Sequence, residues 1–245
     1  MKIAYLLSSS VISGGGKVIL QQADELGRRG HRVTVVCPEP PPEWLPLRHA
    51  RFERSDFEAS TFLRDADVAV ATFWTTIEPA VKTASGALFH LCQGLESDSA
   101  FYADRRGEIE AAYRRIPGKI VISGHVRAAL EALGFRDVLD VGETFDAAEF
   151  RVEGRTFTRD PPRVLLMGTY EIDIKGVAEG LEALGRLREN GERFHLVRAS
   201  TEALSDAERK GNVVDEYHRA LSPRRIPALL ASADVFLGPN HEEEG

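Results

Sequence analysis

The chain has 245 residues, 43% of them hydrophobic and 28% charged, and a formal net charge of −7. That size suits one or two ordinary globular domains, and the acidic balance leaves no electrostatic footprint for nucleic acid. Two cysteines in apolar runs, Cys37 and Cys92, point to buried free thiols rather than a disulfide framework or thiolate metal site.

Residues 3–7 are continuously apolar and predict a buried first strand. This run is too short for the apolar core of a signal peptide, and no stretch approaches the roughly 20 apolar residues of a membrane span. A cytoplasmic location is therefore expected. A Ser/Gly loop over 8–16 leads to a helix over 17–29, closed by Gly30. A second strand over 33–37 ends at the proline cluster 38–42, which completes one right-handed β-α-β unit. Further strands are expected over 68–72, 87–92, 119–122 and 138–141, with helices over 108–115 and 124–133. The arginine pairs Arg105-Arg106, Arg114-Arg115 and Arg224-Arg225 are interleaved with acids and read as solvated faces. They are also able to steer an anionic substrate or a lipid headgroup.

Periodicity then lapses, and residues 151–162 read as a linker between a first domain over 1–150 and a second over 163–245. The second series predicts strands over 163–167, 194–197, 213–217 and 235–237, with helices over 176–189 and 223–231. Such alternation argues for α/β domains with doubly wound parallel sheets.

Several places on this frame carry chemistry. Gly14, Gly15 and Gly16 precede the first helix, where glycines let the backbone approach an oxyanion. Their spacing is not Gly-x-Gly-x-x-Gly, which argues against a nicotinamide site, and a plain tight turn remains the alternative. After the strand over 163–167 come Gly168, Thr169 and then Lys175-Gly176, and Lys is a point-charge phosphate binder. Glu242, Glu243 and Glu244 follow the last strand and Pro239, and carboxylates are good acceptors for sugar hydroxyls. A cation and an acidic loop, each after its own strand, suit a phosphorylated sugar. Gln93 and Glu96 sit where the strand over 87–92 opens toward a cleft. His90 reads either as a cleft residue or as a core residue satisfied by a backbone group. His125 begins a helix that Ser123 is placed to cap. No histidine–carboxylate array has metal-ligand spacing, and neither a Gly-x-Ser-x-Gly elbow nor a Walker A motif occurs.

Taken in order, these segments resemble the retaining, nucleotide-sugar-dependent glycosyltransferases of the GT-B fold, in the large Glu-x7-Glu family (glycosyltransferase family 4-like). The resemblance rests on Gly14-Gly15-Gly16 with its helix, Gly30-His-Arg-Val-Thr-Val-Val-Cys-Pro38, Val121-Ile-Ser123, and Glu143-Thr-Phe-Asp146 through Phe150. In the second half it rests on residues 164–168 with Lys175-Gly176, and 226–239 with Glu244-Gly245. It implies two Rossmann-like domains, the second incomplete, with the donor mainly on the second and the acceptor mainly on the first. Lys175 would then bind the donor diphosphate, with Gly168, Thr169, Gly176, Glu242 and Glu243 also among the donor-binding residues. Glu244 would be the first glutamate, touching the transferred sugar. Gly14, Gly15, Gly16, Glu96 and His125 would form an acceptor or phosphate loop, and Gln93 with Glu96 would orient the acceptor or the sugar.

The resemblance also implies retention of anomeric configuration with no cofactor and no required metal, the nucleotide-diphosphate sugar being a co-substrate. The acceptor would be a sugar, a lipid or a small molecule. Peripheral membrane contact and homo-oligomerisation are compatible with this reading. The chain departs from the family in having Thr169 where an arginine is usual and Gln93 where many members have histidine. The second glutamate, expected eight residues after Glu244, lies past Gly245, so a truncated and catalytically impaired form is expected. The alternative is a non-catalytic nucleotide or nucleotide-sugar binding module. A third option, a GT-B epimerase or phosphorylase, lacks a recognisable acid pair or cofactor lysine.

Overall fold

The computed structural model describes residues 1–143, 150, 159–211 and 213–241. The expected linker therefore falls largely outside the described residues. The chain divides into two compact units, one holding the first seven strands and the other the last four.

In the first unit the elements run β1 (Lys2–Leu6), α1 (Gly14–Arg28), β2 (Arg32–Cys37), β3 (Arg51–Arg54), α2 (Thr61–Arg64), β4 (Val68–Ala71), α3 (Trp74–Thr83), β5 (Ala87–Cys92), α4 (Arg106–Arg114), β6 (Lys119–Val121), α5 (Gly124–Ala132) and β7 (Val138–Asp140). The strands form a seven-stranded sheet in the order β3-β2-β1-β4-β5-β6-β7, and every neighbouring pair is parallel. Strand alternation divides the core between the two faces of the sheet. Ile3, Tyr5, Val33, Val35, Cys37, Val70 and Leu91 pack with Ile19, Leu20 and Ala23 of α1. Ala4, Leu6, Val36, Ala69, Ala71 and Cys92 pack on the other side with Ile77 of α3, Ile109 and Tyr113 of α4, and Val126 and Leu130 of α5. Each buried Leu or Ile contributes about 1.5–3 kcal/mol. Both cysteines are free and buried, one in each core.

The second unit continues with β8 (Arg163–Met167), α6 (Val177–Glu189), β9 (His195–Ser200), α7 (Asp206–Gly211), β10 (Glu216–Arg219), α8 (Ile226–Ser232) and β11 (Val235–Leu237). These four strands are parallel in the order β10-β9-β8-β11. Val164, Leu166 and Leu196 face Val177 and Leu184 of α6, while Leu165, Val197 and Ala199 face Leu229 of α8.

The structure departs from the sequence reading at several places. The strand β3 and helix α3 were not expected, because β3 is a polar Arg-Phe-Glu-Arg segment and α3 carries Pro79 inside it. Helix α7 falls between the expected elements, where the sequence reading assigns none, and the strand expected over 213–217 is shifted to Glu216–Arg219. The arginine pairs do lie on exposed faces, bridged for instance from Arg105 to Glu108 at 2.9 Å and from Arg115 to Glu78 at 2.8 Å.

The turn from α3 into β5 packs closely on the backbone leading into β4 at Gly86, where an added Cβ would lie 2.3 Å from the carbonyl oxygens of both Ala66 and Asp67. Gly86→Ala is expected to cost about 3 kcal/mol, read as a lower urea midpoint. An unchanged midpoint would contradict this close approach.

Candidate functional site

In an open parallel sheet the crevice for a ligand opens at the carboxyl ends of the strands, where the strand order reverses. In the first unit the reversal falls between β1 and β4. The loop leaving β1 there is pinned from β2: Glu39 Oε2 accepts hydrogen bonds from Ser9 Oγ at 2.9 Å, Ser10 N–H at 2.6 Å and Ser10 Oγ at 3.1 Å. The Ser10 N–H and the two hydroxyls hold the Glu39 carboxyl below its usual range. Trp44 Nε1 clamps the same loop by donating to Ser10 O at 2.9 Å.

Gly14, Gly15 and Gly16, expected in a loop, are instead the first residues of α1. Ser13 caps the helix by accepting the Gly16 N–H at 3.1 Å, and this offsets the weak helix propensity of three glycines. Gln93, just past β5, donates from Nε2 to Gly15 O at 3.2 Å. The structure therefore brings two of the expected residues together. Gly14 has open space around its Cα, and His125 is exposed in the first turn of α5, which Ser123 caps through the Val126 N–H.

Glu96 is held from below. Its N–H donates to Tyr113 Oη at 3.0 Å, and the Tyr113 hydroxyl donates to its carboxylate. Burial raises the Glu96 carboxyl above its usual range despite the bond from Tyr113, and burial likewise raises the Tyr113 phenol.

Beneath Tyr113 lies the ammonium of Lys119, a residue only 1% exposed. It donates to Tyr113 O at 2.7 Å, sits 3.3 Å from His90 Nδ1, and lies over the Phe135 ring at 4.5 Å. His90 is a core residue, but its partners are side chains, Lys119 and the Cys92 thiol at 3.2 Å, rather than a backbone group. Burial, and then the neighbouring Lys119, pull the His90 pKa well below the ordinary imidazole value, so the ring is neutral. Burial lowers Lys119 to about 8 and pushes Cys92 up to about 12.

In the second unit the order reverses between β8 and β11. The chain leaves β8 through Gly168, at φ +135°, and reaches Lys175 at the end of a short 3-10 turn, Asp173–Lys175. Gly176, at φ +58°, then caps α6. A Cβ on Gly168 would lie 3.3 Å from Lys175 Cβ, so the lysine stem crosses this glycine. A Cβ on Gly176 would lie 2.0 Å from Pro239 O, and His241 N–H donates to Ile174 O at 2.9 Å.

The loop after β11 thus docks on the start of α6, beside Gly168, Lys175 and Gly176. Thr169 Oγ1 meets Thr201 Oγ1, just past β9, at 3.4 Å. Glu242, Glu243 and Glu244 lie outside the described residues. Glu39, Tyr113, Lys119 and His241 escaped the sequence reading. Only Glu39 had a local signal, as an acid following a strand.

Among the described residues no group of His, Cys, Asp and Glu has the spacing to hold a metal ion, and no helix is long and apolar enough to cross a membrane. A cleft lined by Arg114, Pro117, Phe135, Arg136 and Asp137 lies away from these edges, next to the amino ends of β6 and β7. Its arginines are occupied by the carbonyls of Leu133, Glu131 and Phe135.

No protein-family model and no curated protein matches the chain. Solved structures do. WaaG, a glycosyltransferase involved in lipopolysaccharide biosynthesis, superposes with a TM-score of 0.71 at 15% identity, over 99% of this chain and 76% of its own. Anabaena HepE, in complex with UDP and glucose, gives 0.66 at 14% identity, over 96% and 73%. The UDP-GlcNAc 2-epimerase from Neisseria meningitidis, bound to UDP-GlcNAc, gives 0.60 at 12% identity, over 96% and 77%. The fold is that of GT-B proteins, with two Rossmann-like parallel sheets.

Two outcomes follow from this geometry. Gly176→Ala is expected to displace the loop after β11, because both its positive φ and the Pro239 carbonyl forbid a side chain. Faster amide exchange at Ile174 and His241 would report this, and unchanged exchange would contradict it.

The second concerns pH. Between about pH 8 and 10.5 the unfolded chain keeps a proton on Lys119 that the folded chain has lost, so this group makes stability rise with pH. The gain is on the order of 3 kcal/mol across the window. Cys92 and Tyr113, both raised, act in the opposite sense at the alkaline end. The readout is therefore the difference in unfolding free energy between wild type and Lys119→Met, which should widen in favour of wild type as pH rises from 8. A pH-independent difference would refute it.

Proposed function

We propose that this chain is a retaining, nucleotide-sugar-dependent glycosyltransferase that moves a sugar from a nucleotide-diphosphate sugar to a hydroxyl of a glycan, lipid or small molecule. The observation that carries this reading is the convergence at the second sheet's reversal point. There Lys175, between Gly168 and Gly176, sits beside the Pro239–His241 loop that runs on to Glu242.

In this reading the Lys175 ammonium and the start of α6 take the negative charge of the diphosphate. Their field stabilises the leaving group as the glycosidic bond to it breaks. Glu244 accepts hydrogen bonds from hydroxyls of the transferred sugar, with Glu242 and Glu243 nearby in sequence. In the first unit Gln93 and Glu96 orient the acceptor hydroxyl. Gln93 is fixed on Gly15, and Glu96 is fixed by Tyr113. Gly14, Gly16 and His125 line the acceptor or phosphate edge. This reading requires neither a metal ion nor a cofactor. The UDP and glucose bound to HepE and the UDP-GlcNAc bound to the epimerase support a nucleotide sugar as the ligand class.

The epimerase likeness also favours a second reading, rearrangement of a nucleotide sugar without transfer. A non-catalytic nucleotide-sugar module is the third. Product analysis separates them: transfer releases free nucleoside diphosphate and glycosylates an acceptor, epimerisation alters the sugar, and the module does neither.

The test is calorimetry with UDP, GDP, dTDP and ADP. One of them should bind, and Lys175→Ala should weaken that binding about 10- to 100-fold, the loss of one charge-assisted contact. Failure of the wild-type chain to bind any of the four would sink the proposal.

A further inference from the structure

Arg198, in the middle of β9, is fully buried, and Glu208 of α7 beside it is 4% exposed. All five N–H donors of the guanidinium find acceptors. Nε and Nη2 donate to Glu208 Oε1 at 3.0 and 2.6 Å, and Nη2 also donates to Gly168 O at 3.1 Å. Nη1 donates to Leu166 O at 3.1 Å and Ala199 O at 3.4 Å. The other Glu208 oxygen accepts the Ser205 N–H at 2.9 Å. A buried ion pair is often no more stabilising than well-packed apolar side chains of the same volume, so this one calls for a reason beyond stability.

The Gly168 carbonyl supplies that reason. A trans peptide is planar, with its C=O and N–H pointing in opposite directions. Since the Gly168 carbonyl points inward at Arg198, the Thr169 N–H points away from the ion pair, and it makes no hydrogen bond among the described residues. The Gly168 φ of +135° is one that glycine adopts freely and other residues resist. The stem of Lys175 crosses the same glycine.

We propose that Arg198 is a positioning residue: by holding the Gly168 carbonyl inward it presents the Thr169 N–H, beside Lys175, as a hydrogen-bond donor to a phosphate oxygen of the ligand. This rests on the donor reading of the Lys175 loop. Glu208 keeps the guanidinium neutralised and aimed, and it ties α7 to the same loop.

The test is an amide titration of the 15N-labelled chain with inorganic pyrophosphate and with UDP. The Thr169 amide proton should move downfield and saturate on the same curve as Lys175 and Gly176. Arg198→Lys keeps a charge against Glu208 but has three donors instead of five. It should abolish the Thr169 shift and weaken pyrophosphate about tenfold. The paired variant Arg198→Met with Glu208→Met leaves no unpaired charge, and it should do the same while melting cooperatively.

Movement of Lys175 and Gly176 without Thr169 would overturn the positioning role. So would wild-type pyrophosphate affinity in either folded variant, since a purely structural ion pair would leave the Thr169 shift intact. If neither probe shifts any amide over 163–241, the donor reading itself fails and this inference falls with it.

Discussion

Every strand among the described residues runs parallel to its neighbours, and much of the chemistry depends on that. Parallel strands need crossover connections, so all carboxyl ends within a sheet open onto one edge. The two faces are sealed by apolar side chains, which leaves that edge as the place where free N–H groups and polar side chains collect. Where the strand order reverses, neighbouring loops part and leave a crevice. In the second unit the reversal separates the loop after β8 from the loop after β11, and these are the two that carry Lys175 and Pro239–His241.

Each edge is backed by a buried charge on a strand of its own sheet. In the first unit Lys119, on β6, reaches Tyr113, and Tyr113 in turn holds the Glu96 segment after β5. In the second, Arg198 on β9 reaches the last carbonyl before the Thr169 loop. A hydrogen bond in a low-dielectric interior is directional and costly to leave unmade. Such groups therefore fix a loop more sharply than apolar packing can. The two clusters differ in how they manage their charge. Among the described residues Lys119 makes its close contacts to a carbonyl, an imidazole and aromatic rings, and burial lowers its pKa despite the Cys92 thiol and the Glu96 carboxyl. Arg198 has a full carboxylate at 2.6 Å.

Much of the architecture was legible in the chain because apolar periodicity reports burial. The strands over 87–92, 163–167 and 235–237 match the sequence reading residue for residue. Helix α1 starts earlier than periodicity suggests, because Ser13 caps it and draws three glycines into its first turn. Helix α3 was hidden by Pro79, and β3 by its arginines and glutamate. Of the expected site, Gly168, Lys175 and Gly176 do converge, as do Gly15 and Gln93.

The sequence by itself determined the alternation of strands and helices, the parallel α/β class, and which loops would carry a cation or a carboxamide. Those properties are local, since one turn of helix or four residues of strand are enough to display them. Only the tertiary structure decided that Glu39 pins the Ser9–Ser10 loop, that Lys119 lies under Tyr113, and that Arg198 turns the Gly168 peptide. Each of those pairs spans two separate elements, and which elements become neighbours depends on strand order and register. A chain read one segment at a time carries neither.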